Sequence, residues 1–214
     1  MAPSRWIKAS VHDPRSTLLN HNSGRWSGCF IRLNGSGLEQ ERFPTVLDVE
    51  ERDGVIQTCL TYVNSGEQRA MNFKALPFTM QVDADGGWSL GPSSITPWNW
   101  VGELCVVRGT QRRRMIVRHG TSGLDSVVYV RESRDEPLQP LLPEPLHCPS
   151  HPLNAFTVWT PEPGVELLLD SRVRQIGDAT ACGLRWSSPD GSTHQIVRRY
   201  DGQGQMQPLS DAWD

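Results

Sequence analysis

Lysine is nearly missing from this 214-residue chain: Lys8 and Lys74 stand against 19 arginines. A GC-rich genome produces that bias. So does a need for planar, always-charged guanidinium groups that hold carboxylates or stack on aromatic faces. Phenylalanine (5) and tyrosine (3) are also scarce, yet there are 8 tryptophans. The cysteines, at 29, 59, 105, 148 and 182, are odd in number, far apart and without a Cys-x-x-Cys pair, which excludes a secreted disulfide framework. No apolar run approaches the ~20 residues that span a bilayer, and residues 1–19 lack a signal-peptide core. These absences lead to the expectation of a cytoplasmic protein with reduced thiols and no membrane span. A formal net charge of −3 argues against nucleic acid as the main partner. Also missing are a Gly-x-Ser-x-Gly elbow, a P-loop, a Gly-x-Gly-x-x-Gly following a strand and a His-Glu-x-x-His helix, so no enzyme active site stands out.

What is present is β structure. Short apolar or alternating runs recur from Trp26 onward, punctuated by Asn34-Gly35, Asp53-Gly54, Asn64-Ser65-Gly66, Asp83 to Gly87, Gly109-Thr110 and Gly120 to Gly123. Spacing of about 10–14 residues leaves no room for helical crossovers, so the strands should connect up and down, antiparallel. One short helix fits within Asp13 to Asn20. Six prolines between 137 and 152 rule out a helix or central strand there and imply an extended connector. Strand signals resume at Phe156, with a Pro189-Asp190-Gly191 turn. The expected organisation is an N-terminal segment (1–22), a β-barrel (23–134), a connector (135–153) and a C-terminal β extension (154–214) that either stands apart or completes the barrel.

Gly24-Arg25-Trp26 opens the first strong strand and resembles the lipocalin signature, in which the Trp closes one end of the barrel and an Arg from a late strand packs across it. Arg118 and Arg131 are the expected partners. Met115 to Glu132 resembles the barrel end of S-type phycobiliprotein chromophore lyases, with Arg118, Gly120, Ser126, Val130 and Arg131 at the matching positions. More broadly, the chain is similar to cyanobacterial and plastid proteins that add a C-terminal β extension to a lipocalin-like (calycin) barrel. This resemblance implies an all-β antiparallel barrel that binds a small ligand. It also implies a bilin as that ligand and chaperone-type lyase action on a phycobiliprotein subunit.

Several residues carry that expectation. Arg118 and Ser126 would meet the ligand's propionates, Arg114 and Arg131 its carboxylates, and Glu103 would face the lumen as a hydrogen-bonding group or acid. Trp98 and Trp100, two apart on an extended segment, share one face and suit a conjugated ligand. Gly24 and Trp26 are structural. The run Arg112-Arg113-Arg114 reads either as a solvated edge or as a carboxylate clamp. His147-Cys148-Pro149-Ser150-His151 lacks the further ligands that zinc needs, so no metal is expected. Two other functions fit the composition: a scaffold with a fully packed barrel, and an enzyme acting on a lipid or terpenoid within it.

Overall fold

A computed structural model describes residues 13–96, 99–135, 137–138, 141–210 and 212–213. One helix, α1 (Pro14–Asn22), precedes the strands. Asp13 caps it by accepting from the Arg15 and Ser16 amides, and Pro14 occupies the first turn, where a missing N–H costs nothing. Nine strands then form one antiparallel sheet: β1 (Gly24–Asn34), β2 (Glu39–Arg52), β3 (Val55–Tyr62), β4 (Gln68–Phe73), β5 (Gln81–Val82), β6 (Trp88–Leu90), β7 (Trp100–Arg108), β8 (Gln111–Gly120) and β9 (Gly123–Ser133). Their order is β4-β3-β2-β1-β9-β8-β7-β6-β5. Asp53 and Gly54 both take positive φ (53° and 73°), the twist that a two-residue hairpin turn between β2 and β3 requires.

The sheet curls but does not close. Its edges are β4 and β5, which are not hydrogen-bonded neighbours, so the expected barrel is a half-barrel. The join between those edges, residues 74–80, contains Pro77 and forms no strand, and β5 is only two residues long before the Asp83–Gly87 turn. α1 packs against β2 and β5 across this open side.

The C-terminal strands do not complete the barrel either. β10 (Ser150–Leu153), β11 (Phe156–Glu162), β12 (Val165–Leu169), β13 (Thr180–Ser187) and β14 (Thr193–Tyr200) form a second antiparallel sheet in chain order. The proline-rich stretch thus ends in a strand, β10, which as an edge tolerates Pro152. Gln205 and Met206 contribute only isolated bridges.

Period-two alternation explains the layering. On the central strands one parity faces outward: Ile31, Leu33, Leu104, Val106, Met115, Val117, Val127 and Tyr129. These pack against Trp159, Leu167, Leu169, Cys182, Leu184 and Ile196 of the second sheet in the largest core. The other parity faces the hollow. Trp26, Leu18, Ile56, Val82, Trp88, Cys105 and Val107 form a second core at its base. Arg198 on β14, fully buried, bolts the sheets together by donating to Ser89 Oγ and to the carbonyls of Thr79, Gly91 and Pro92.

Between the layers His119 stacks on Trp100 at 4.5 Å and 9°, and neither ring nitrogen finds a hydrogen-bond partner. Burial, with the Arg174 charge adding to it, pushes the imidazole down to about 4. The unfolded chain therefore takes up this proton first. Stability contributed by the neutral ring is intact above the unfolded value of about 6.5 and drains away as pH falls toward 4. Denaturant unfolding at pH 7.5 and pH 4.5 should show wild type losing about 2–3 kcal/mol more than His119→Phe over that interval. Parallel losses would show that His119 is not the group responsible.

Candidate functional site

The hollow of the half-barrel holds a cavity of about 460 Å³. Its apolar wall is Phe43, Leu47 and Val49 of β2, Ile56, Leu60 and Tyr62 of β3, Met71 and Phe73 of β4, and Trp88 and Leu90 of β6. Across from this wall, β7 and β8 present Glu103, Arg112, Arg114 and Ile116. The cavity is amphipathic: a buried polar strip lies on β7 and β8, and Arg32 and Arg69 add charge at its more exposed margin.

That strip is an internally neutralised ion network. Glu132, on the inner face of β9 and wholly buried, accepts from Arg112 Nε at 2.6 Å and from Arg114 Nε and Nη2 at 2.9 and 3.0 Å. Arg114 Nη1 donates to Glu103 at 2.6 Å. Burial alone would raise the Glu132 carboxyl, but the Arg112 and Arg114 charges outweigh it and hold the group below the usual range. Gly28 of β1 makes room for this carboxylate: a Cβ there would stand 2.5 Å from Glu132 Cγ and 2.9 Å from the Arg131 carbonyl oxygen.

Trp26 lies in the core at the base of the hollow. It is fully buried, donates from its indole nitrogen to the Asn22 carbonyl at 2.8 Å, and lies under two guanidiniums, Arg112 at 4.2 Å and Arg134 at 4.5 Å. Asn22, the last residue of α1, ties this end together. Its side-chain oxygen accepts from Trp88 Nε1 and Arg112 Nη1, and its amide nitrogen donates to the Gly86 carbonyl. Gly24, at φ +112°, sets the sharp entry into β1 just ahead of it.

Of the residues singled out from sequence, the structure brings Arg114 and Glu103 into the cavity, but paired with each other. The late-strand arginines on Trp26 are Arg112 and Arg134 in place of Arg118 and Arg131. Arg118 is exposed, opposite the half-buried Ser126 at the far end of the β8–β9 hairpin, and neither lines the cavity. Arg131 has the outward parity and pairs with Glu162 at 3.0 Å between the sheets, where Arg113 and the Tyr129 hydroxyl meet the same carboxylate. Trp100 also lies between the sheets, against His119 and Tyr200, because β7 places even-numbered residues outward. Trp98 lies outside the described residues. Arg112 to Arg114 form no solvated edge: β8 is central in its sheet and covered on the outside, so all three are buried. His147 and His151 are exposed while Cys148 is buried, so the three do not converge.

Sequence reasoning missed the wall opposite. Phe30, Phe43 and Tyr62 sit on adjacent strands with inward parity, and all line the cavity. The signal was available in the parity of β1, whose inward set Trp26, Phe30 and Arg32 alternates with Ile31 and Leu33.

Removing one member of a buried ion network leaves its partners uncompensated. Glu132→Gln should cost about 3–5 kcal/mol in denaturant unfolding. Glu103→Gln, at the partly exposed end of the strip, should cost about 1 kcal/mol or less. Equal losses would show that Glu132 is not the centre of the network.

With this geometry in hand, comparison with known proteins places the chain. No curated protein sequence matches it significantly. A crystal structure of a protein of unknown function from the DUF3598 family, from Nostoc punctiforme PCC 73102, is similar over 93% of this chain and 97% of its own, with a TM-score of 0.73 at 14% identity. At that identity the likeness is one of fold, and it spans both sheets. Neither comparison bears out the likeness to chromophore lyases. Residues 14–136, from α1 to just past β9, match the family model "Domain of unknown function (DUF3598), N-terminal", so the chain belongs to the DUF3598 family.

Proposed function

We propose that this protein binds a small, elongated, largely apolar molecule inside the half-barrel, as a lipocalin-like carrier does. One observation carries this reading: an inner-face cavity of about 460 Å³ with a broad apolar wall and few polar groups. Its volume falls in the ~300–1,000 Å³ range of small-molecule sites. The hollow is not a packing defect of a marginal fold, because the main core lies elsewhere, between the two sheets. A scaffold with a fully packed interior would have no use for it.

A bilin, the ligand implied by the sequence resemblance, has the elongated shape this space suits, and so do apolar polyenes. The proposal stops at binding. Arg112, Arg114, Glu132 and Glu103 are engaged with one another, which supplies no acid or base for passing a ligand to a partner or for acting on a lipid. No helix among the described residues is long and apolar enough to cross a membrane.

The test is titration of the purified protein with biliverdin and with a fluorescent polyene fatty acid. Binding should shift the ligand's absorption or emission and should quench Trp88, which lines the cavity. Leu60→Arg places a charge on the apolar wall and should weaken binding at least about tenfold, a 1.4 kcal/mol effect, with the fold retained. Unchanged spectra with every ligand, or identical binding by the variant, would remove the lumen as the site.

A further inference from the structure

A row of side chains crosses the strands on the inner face. Arg114 lies over the Phe30 ring at 5.2 Å, Phe30 meets Phe43 at 5.6 Å, Phe43 meets Tyr62 at 5.5 Å, and Arg69 lies over the Tyr62 ring at 5.0 Å. All five line the cavity. Register aligns the first part: Arg114 and Phe30 both pair with Val130, and Phe30 pairs with Phe43. The result is a strip of three tilted rings with a guanidinium at each end.

The two ends differ. Arg114 is buried and makes three hydrogen bonds to two carboxylates, which already balance its charge and would repel a ligand anion. Arg69 has one partner, Glu67 at 3.0 Å, and both side chains are more than half exposed. Such a pair contributes about 0–1 kcal/mol, and an incoming carboxylate can replace Glu67 at little cost. A planar guanidinium then offers that carboxylate two parallel N–H donors. Along the strip, rings provide flat faces that aliphatic residues of equal area do not. Offset stacking of a conjugated ligand is worth about 0.5–1.5 kcal/mol per ring beyond simple burial.

We infer that the lumen selects a flat, conjugated molecule carrying one anionic end, bound with its π-system along Phe30, Phe43 and Tyr62 and its anion outward on Arg69. This rests on the lumen being a binding site and adds the ligand's class and orientation. The Arg114 end, its charge already balanced by Glu132 and Glu103, receives the neutral, apolar end.

The experiment compares three ligands by isothermal titration calorimetry: all-trans-retinoic acid, retinol, and arachidic acid as a saturated chain with the same acid group. Retinoic acid should bind about tenfold tighter than either of the others. In the double variant Phe43→Leu, Tyr62→Leu, affinity for retinoic acid should fall about tenfold while arachidic acid stays within about twofold, which also reports an intact fold. Arg69→Gln should weaken retinoic acid about fivefold and leave retinol unchanged. Equal affinity for the saturated and conjugated acids, or an Arg69→Gln effect shared by acid and alcohol, overturns the inference and leaves the lumen as a site. Binding of none of the three overturns both.

Discussion

Strand β8 is buried on both faces, and the rest of the molecule is arranged around that constraint. Three consecutive arginines, Arg112 to Arg114, alternate across it, so guanidiniums enter two separate interiors from one short run. Each needs a carboxylate there. Glu132 and Glu103 meet Arg112 and Arg114 on the inside, and Glu162, from the other sheet, meets Arg113 on the outside. A charge left alone in either place would cost several kcal/mol, so β9 and β11 must arrive in register for the chain to fold at all. Arginine suits this better than lysine because one guanidinium can satisfy two carboxylates and also lie over an aromatic ring, as Arg112 does on Trp26 and Arg113 on Trp186. The near-absence of lysine has a structural counterpart here.

The same strand divides two kinds of interior. On its outer side, apolar residues interlock with the second sheet and leave tight contacts, as at Gly102 of neighbouring β7, where a Cβ would stand 3.4 Å from Cys182 Sγ and 3.5 Å from Val117. On its inner side the curved sheet leaves a cavity, and the polar strip meets the aromatic row where Arg114 lies over Phe30. Neutralising the strip from within allows a polar surface to border an apolar space without drawing counter-charges from a ligand.

Much of the fold was legible in the order of residues. Turn pairs such as Asp53-Gly54 and Asn34-Gly35 marked the reversals, and the missing helical crossovers fixed the antiparallel connection. Closure was not legible. It depends on whether β4 and β5 hydrogen-bond, and no local pattern at 74–80 distinguishes a join that zips from one that gaps. The short strands β5 and β6 were invisible for a related reason: two or three residues carry no periodicity. Faces were harder than strands, because a strand buried on both sides has no polar parity to betray its orientation. Arg112 to Arg114 read either as a solvated edge or as a clamp, and all three are interior. Trp26 was found because Gly-x-Trp is local, whereas its arginine partners were misassigned because they depend on register across β9 and β8. The aromatic row was overlooked because each ring comes from a different strand, and only pairing brings them together.

The family model stops near residue 136, and that boundary does not describe a detachable unit. Much of the outer face of β1 and β7 to β9 is apolar and packs against the C-terminal sheet, and Arg113 and Arg131 meet the Glu162 carboxylate there. An excised half-barrel would have a greasy back and would lose the Glu162 carboxylate that Arg113 and Arg131 share, a poor candidate for solubility. Both sheets must therefore have been inherited together. A loss or exchange of the C-terminal piece in evolution would have required a new cover of matching charge, whereas the hollow side, facing away from this seam, carries no such constraint.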